Sequence, residues 1–421
     1  MNDTRRDPCN DPGATSPGLL TVAEARARID ALVTPIQGDE QLPIRTALGR
    51  ILAEPVLSTI DVPPYTNSAM DGYAVRGDDL PATGRARLTV VGRAMAGAPA
   101  DCGVAPGQAV RIMTGAVMPA GADTVLMQEA VTVAGDTIEI APGHTCGENV
   151  RHAGEDMTRG DTVLTPGTRL LPAELGVLAS LGTAEVRVRR RLRVAFFSTG
   201  DELKSLGETL GPGQIYDSNR YTLHGMLARL GVELLDLGVI RDDREAIGEA
   251  FHTAAAIADV VITSGGVSVG EADFVTQILA ELGQVNFWKI AMKPGKPLAC
   301  GTVGGAVFFG LPGNPVSVMA TFYQFVQPAL QKMMGMTVAP TLSLRVPCAV
   351  ALQKQPGRLE YQRGILYQDA AGNPIVTTTG GQGSHMLSSM SRSNCFIVLP
   401  AECAGVAVGE PVDVQPFAGL I

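Results

Sequence analysis

Residues 259–283 read DVVITSGGVSVGEADFVTQILAELG. The run Val260 to Ser264 opens on three branched apolar residues, the composition of a strand covered on both faces. A glycine-rich loop follows. Val275, Ile278, Leu279 and Leu282 then recur at helical spacing, with Asp273 as candidate cap and Gly283 as stop. Strand, loop and helix together make half of an α/β unit, and the neighbouring sequence repeats the alternation. Upstream lie RVAFFS (193–198) and a helix after Asp217 or Ser218 that buries Leu223, Met226, Leu227 and Leu230 and stops at Gly231. VELLDLGVI (232–240) and a helix marked by Ile247, Phe251, Ala254 and Ala258 come next. Downstream lie AVFFG (306–310) and a helix capped by Asn314, with Pro315 in its first turn, running through Phe322, Phe325 and Ala329. The alternation over 192–338 predicts a parallel sheet with helices on both faces, a three-layer α/β/α domain.

Outward from this block the texture changes twice. Residues 59–150 carry short β-rich runs (RLTVVGRA, QAVRIM, TVLMQ, TIEIA) between Gly/Pro punctuation, and predict a β insert domain. On its two sides, 19–58 and 151–191 share a helix-plus-strand character and predict one discontinuous N-terminal domain. Within it, Thr21 and Glu24 form a capping box ahead of an apolar stripe of Ala23, Ile29, Leu32 and Val33. Residues 339–421 return to β texture and predict a barrel-like C-terminal domain. Residues 1–18 are polar and predict a flexible tail.

The chain has 421 residues, too many for one ordinary domain. Its net charge of −9 argues against broad binding to nucleic acid or anionic membrane, and leaves room for a local basic pocket. The seven cysteines form no CxxC pair, no apolar run reaches the ~18 residues of a membrane span, and the first residues lack the apolar core of a signal peptide. A reduced, cytoplasmic setting is expected. Arg187, Arg189, Arg190, Arg191 and Arg193 cluster at a strand leading into a domain junction, where a structural role fits better than RNA binding.

In an open α/β sheet, ligands bind beyond the carboxyl ends of the strands. The segments found there are Thr199-Gly200-Asp201-Glu202, Asp242-Asp243, Ser264-Gly265-Gly266 running on to Ser268 and Asp273, and Pro312-Gly313-Asn314-Pro315 running on to Ser317. The glycine-rich loop and the helix start at Asn314 can turn backbone N–H groups toward an oxyanion. Either loop alone reads as a tight turn or an ordinary capped helix; two at one sheet edge favour a site. The chain has only six lysines, and Lys289, Lys293 and Lys296 fall within WKIAMKPGKP beside Pro294 and Pro297. Asp201, Glu202, Asp242 and Asp273 can hold Mg²⁺, an ion that keeps waters and bridges to phosphate oxygens. The five histidines show no metal-ligand spacing, and no GxSxG, Walker A or GxGxxG motif occurs. Residue chemistry alone therefore reaches an anion-binding α/β domain with Mg²⁺.

Eight collinear blocks carry a resemblance: PPYTNSAMDGYAVR (63–76), RIMTGAVMP (111–119), RHAGEDM (151–157), STGDEL (198–203), GQIYDSNRY (213–221), TSGGVSVGEADF (263–274), KPGKPLACG (293–301) and GLPGNPVSV (310–318). From about Leu19 onward the chain resembles the molybdopterin molybdenumtransferases, the MoeA family, to which the E domain of gephyrin is related. The resemblance implies a homodimer of four-domain subunits with a shared active site. It implies insertion of molybdate into adenylylated molybdopterin with Mg²⁺-dependent release of AMP, the last step of molybdenum cofactor biosynthesis. It gives Asp71 and Thr114 a role in the partner subunit's site, and makes Asp156 a functional acid. Glu202, Asp242 and Asp273 become the acids of the pterin and metal pocket, with Ser268, Lys293, Lys296, Pro297 and Ser317 on the molybdate and phosphate side. Arg363 and Ser384 become a C-terminal access point for molybdate. Molybdopterin adenylyltransferase and downstream molybdoenzymes are the implied partners. Rival readings are an adenylyltransferase on the same pterin-binding module, a non-catalytic pterin carrier or scaffold, and a nucleotide phosphatase.

Overall fold

The computed structural model describes residues 18–265 and 274–417. The chain divides into two compact units. One comprises residues 1–40, 49–51 and 189–421; the other comprises 41–48 and 52–188.

In the first unit a six-stranded sheet runs in the order Glu233–Ile240, Arg193–Thr199, Val260–Ser264, Ala306–Leu311, Pro297–Val303, Gly283–Lys289. The first four strands are parallel. The last two are antiparallel, which corrects the expected all-parallel sheet. Gly283 does end the helix Phe274–Leu282, yet it also opens a strand, and WKIAMKPGKP forms the strand ends and the 290–296 connection of an edge hairpin rather than a free loop. Pro297 is tolerated because it is the first residue of its strand, where a missing ladder donor costs least.

Strand side chains alternate between two helical layers, as the period-2 pattern requires. Val194, Phe196, Val260, Ile262, Val307 and Phe309 face the helices Val22–Leu32, Ser218–Leu230 and Pro315–Thr321 with its continuation to Met333. Ala195, Phe197, Val261 and Phe308 face the helices Arg244–Ile257 and Phe274–Leu282. On that side Phe251 meets Phe197 and Phe308 edge-on, with ring centroids 5.2 and 5.6 Å apart. Truncating such a buried ring costs about 3–5 kcal/mol.

The caps follow the sequence. Asp217 accepts from Arg220 N at the start of the helix Ser218–Leu230, and Gly231 ends it at φ +79°. Thr21 and Glu24 form the expected capping box. The buried stripe of the helix they open differs from the expected one: it is Val22, Ala25, Ile29 and Val33, while Ala23 and Leu32 are exposed. Three of the clustered arginines make structural ion pairs. Arg190 grips both oxygens of Asp259 at 2.7 and 2.8 Å, Arg189 pairs with Asp39, and Arg193 pairs with Glu233.

The C-terminal strands form a second six-stranded sheet in this unit: Leu344–Pro347, Pro411–Pro416, Cys395–Leu399 and Leu359–Gln368 in order, with Pro374–Thr378 also paired to the last. Its remaining strand, Met292–Lys293, comes from the hairpin connection of the first sheet and runs parallel to Leu359–Glu360. Tyr361, Met390 and Phe396 continue the core of the α/β layers into this sheet.

The second unit holds another six-stranded sheet, ordered Thr124–Met127, Gly72–Val75, Gln108–Ile112, Ala86–Ala94, Thr137–Ile140, Val131–Ala134. The strands Gly72–Val75 and Val131–Ala134 escape the sequence reading. Gly72 is a steric requirement, since a Cβ there would lie 1.8 Å from the Leu126 carbonyl oxygen. Among the described residues no helix is long and apolar enough to cross a membrane.

Candidate functional site

The parallel strands end together. Ser264 lies across from Ser198 on one side and Leu311 on the other, and Thr199 lies across from Ile240. Beyond these ends the chain turns where only glycine is comfortable. Gly265 has φ +92°, and a Cβ there would sit 2.9 Å from the Thr199 carbonyl oxygen. Gly200 has φ +144°, and the Glu202 carboxylate folds over it, 2.5 Å from where a Cβ would be. Gly265 N donates to Leu311 O at 3.2 Å, so the loops after three strands meet at one point.

Two side chains tie these loops together. Asp201 Oδ1 accepts from Asp242 N at 3.2 Å, holding the acidic turns after the first two parallel strands side by side. Asn219, in the first turn of the helix Ser218–Leu230, donates both amide hydrogens across the edge, to Ser264 Oγ at 2.9 Å and to the Gly313 carbonyl at 2.7 Å. The carbonyl is acceptor-only, which fixes the amide orientation. Sequence reasoning passed over Asn219, whose only local signal is its place two residues after the cap Asp217.

Buried polar atoms at this edge are left without partners. Ser198 Oγ, Thr263 Oγ1, Asp217 Oδ2 and Asn219 Oδ1 all lack a hydrogen bond. Native interiors leave few such atoms, so a concentration of them at strand ends marks a place shaped for a polar ligand.

Glu202 and Asp242 are exposed. No three His, Cys, Asp or Glu side chains converge on one point among the described residues. Among the described residues the edge therefore offers exposed carboxylates rather than a closed cage, donors that suit an ion sharing waters and phosphate oxygens. Asp273, Ser268 and Gly266 lie outside the described residues.

The helix start at Asn314 offers fewer donors than the sequence suggested. Pro315 has no N–H, Val316 N donates to the Ser384 carbonyl at 3.1 Å, and Val318 N donates to Asn314 O. Ser317 is buried, Pro312 is buried, and Gly313 and Asn314 are exposed.

Lys289 and Lys296 are exposed, and their carbonyls accept from Leu20 N and Ile290 N. Lys293 Nζ lies 3.5 Å from Glu360 Oε1, on the strand pair joining the two sheets. Arg363 is 1% exposed. Its guanidinium points inward, donating to Ser389 Oγ and the Gly383 carbonyl at 3.0 and 3.1 Å, which fastens the loop that carries Ser384. Burial pushes its pKa down to about 10, against the opposing charge of Glu360.

Asp71, Thr114 and Asp156 belong to the other unit. Asp71 Oδ1 accepts from Thr114 N and Oγ1 at 2.7 and 2.8 Å. Those two bonds, backbone first, hold its carboxyl below the ordinary value. Asp156 is exposed and its backbone N donates to Val62 O.

Comparison with known proteins finds relatives along nearly all of the chain. Residues 20–182 match the family described as MoeA N-terminal region (domain I and II), 195–332 match the probable molybdopterin binding domain, and 345–417 match the MoeA C-terminal region (domain IV). A protein of Haemophilus influenzae named molybdopterin molybdenumtransferase is 47% identical over 408 residues, covering 96% of this chain and all of that one. One of the same name from Nostoc sp. is 40% identical over 89% of this chain and 88% of its own. The crystal structure of the molybdopterin biosynthesis MoeA protein from Pyrococcus horikoshii superposes with a TM-score of 0.81 at 31% identity, covering 94% of this chain and all of that one. Family models, full-length relatives and fold therefore agree, and the chain belongs to the MoeA family.

Proposed function

We propose that this protein is a molybdopterin molybdenumtransferase, a transferase of molybdenum cofactor biosynthesis that inserts molybdate into adenylylated molybdopterin and releases AMP. The observation that carries the reading is the strand-end edge, where glycine turns, hydroxyls and unpartnered buried polar atoms gather at the carboxyl ends of the parallel strands, in a chain whose full-length relatives bear that name.

In this reading the protein contributes binding, orientation and charge neutralisation, because the ligands that take up molybdenum are sulfurs of the substrate. Thr199, Gly200, Ser264 and Gly265, with Gly266 and Ser268 beyond them, hold the pterin and phosphate groups; Lys289, Lys293, Lys296, Pro297 and the 312–317 turn form the oxyanion side. Glu202 and Asp242, together with Asp273, would hold Mg²⁺, which would supply charge neutralisation for the substrate's phosphates. Arg363 serves by fixing the loop of Ser384 rather than by reaching a ligand with its own guanidinium. In a homodimer, Asp71, Thr114 and Asp156 are offered to the partner subunit's site. The five-part division into a tail, a discontinuous N-terminal domain, a β insert, a pterin-binding domain and a C-terminal domain, with a cytoplasmic location, completes the reading.

The test is AMP release from adenylylated molybdopterin with Mg²⁺, with and without molybdate. Release that requires molybdate, with molybdenum retained on the pterin, is expected. Binding without release, or release indifferent to molybdate, rejects the assignment.

A further inference from the structure

Between the hairpin connection and the C-terminal sheet lies a cavity of about 690 Å³, lined by Lys293, Lys354, Glu360, Gln362, Thr378 and Gln382 among others. Glu360 is the one acid in its lining among the described residues, and its side chain is only 7% exposed.

The two lysines around this carboxylate are held very differently. Lys354 is 8% exposed, and its ammonium donates to three backbone carbonyls, those of Gln355, Ala401 and Cys403, at 3.1–3.2 Å. All three of its hydrogens are spent on fixed acceptors, so it cannot swing toward a ligand. The Lys293 side chain is 41% exposed and 3.5 Å from Glu360 Oε1. That separation is long beside the ~2.7–2.9 Å of a tight charge-assisted bond. Backbone pairing sets Lys293 directly opposite Glu360, so the two charges meet whatever the loop does. The same Oε1 accepts from Gln362 Nε2 at 3.1 Å, and Gln362 is itself fixed by the Gln353 carbonyl at 2.9 Å. Glu360 therefore keeps a donor when Lys293 departs.

We propose that Glu360 is a built-in counter-ion that holds Lys293 in the ligand-free protein and that an incoming tetrahedral oxyanion must displace. The proposal rests on the reading of Lys293 as an oxyanion ligand. Glu360 is on this account a positioning residue acting through Lys293. It weakens oxyanion binding, gives the lysine a place to return to, and lets product leave. A buried carboxylate beside an anion site is otherwise a liability, since like charges repel and its own burial is costly.

The test is calorimetric titration of the full-length protein with sodium molybdate alone, across wild type, Glu360→Gln, Lys293→Ala and the double variant. Glu360→Gln is expected to bind molybdate about fivefold tighter, the scale of a partly exposed ion pair, and that gain shrinks when Lys293 is already alanine, leaving only the relief of direct repulsion. Unchanged or weaker binding by Glu360→Gln overturns the proposal, as does a gain of equal size without Lys293, or no binding by any variant. Should Glu360→Gln fail to fold, Gln362→Leu carries the test with the opposite sign. Deprived of its amide donor, Glu360 grips Lys293 harder and molybdate binds more weakly, while equal or tighter binding overturns the idea. AMP release is assayed in parallel. Its absence, alongside the expected affinity changes, would remove the transferase reading and leave the counter-ion standing.

Discussion

The two ends of the same parallel strands are built on opposite rules. At the amino ends, Asp259 takes both guanidinium arms of Arg190 and the backbone N–H of Arg193, the first residue of its strand. At the carboxyl ends, Ser198, Thr263, Asp217 and Asn219 each leave a buried polar atom unpaired. One end is saturated from within and the other is not. An unpaired buried polar atom costs about 1–3 kcal/mol, and a fold that concentrates several at one edge is giving up stability where a ligand can restore it. The saturated end is where substitutions should cost folding, and the unsaturated end is where they should cost activity.

The largest effect that would break this contrast lies at the carboxyl edge. Glu202→Gln combined with Asp242→Asn is expected to lower turnover roughly 10²–10³-fold, the scale of lost electrostatic stabilisation at a reacting centre, while thermal unfolding stays near wild type. A large loss of melting temperature with retained turnover would invert the assignment. At the other end, Asp259→Asn is expected to cost about 2 kcal/mol of stability through its charge-assisted bonds, with molybdate affinity unchanged.

That pair also has a pH signature. Burial raises the Asp259 carboxyl, but the bonds from Arg190 and Arg193 outweigh it, and the net value lies below the ordinary one. A depressed carboxylate contributes stability that is present above its unfolded pKa, near ~3.9, and is lost as pH falls through the lower folded value. Thermal midpoints of wild type and Asp259→Asn should therefore differ by a constant amount from neutral pH down to about 4 and converge in more acidic buffer. A gap that closes well above that range assigns the stabilisation to another group.

A smaller effect sharpens the contrast. Asn219→Ala unties the Ser264 strand end from the Gly313 turn and is expected to weaken substrate binding about tenfold, the worth of one or two hydrogen bonds; Asn219→Asp, which cannot donate to the Gly313 carbonyl, should not rescue it. The smallest is Thr21→Ala. It removes a capping box far along the chain from the strand-end loops, and should cost about 1 kcal/mol of stability with kinetics untouched.

How much of this was legible in the sequence follows from the range of the interactions. The four parallel strands and the helices between them announce themselves through local periodicity, and their caps through Asp217, Asn314 and the Gly231 stop. The edge hairpin Gly283–Val303 does not, because the two prolines and three lysines in and beside its connection read as loop, and strand pairing is a non-local property. Val22 and Ala25 were passed over for Ala23 and Leu32 because the helix's polar faces leave the phase of its stripe poorly defined. Asn219 and Glu360 matter through residues 45 and 67 positions away, respectively Ser264 and Lys293, and nothing in their immediate neighbours signals either. The carboxylates Glu202 and Asp242 were visible only because the rule about strand ends says where to look.

The short strand Met292–Lys293 is made by the central sheet's connection and used by the C-terminal one. During synthesis it leaves the ribosome well before Leu359 and Glu360, its partners. The C-terminal sheet therefore grows against an edge that already exists, and a C-terminal fragment expressed alone would begin with that edge open. The backbone N–H of Leu359, which donates to Ala291 O in the full chain, would face solvent or a second fragment, so such a fragment should self-associate through this edge, a pairing closed off in the intact chain.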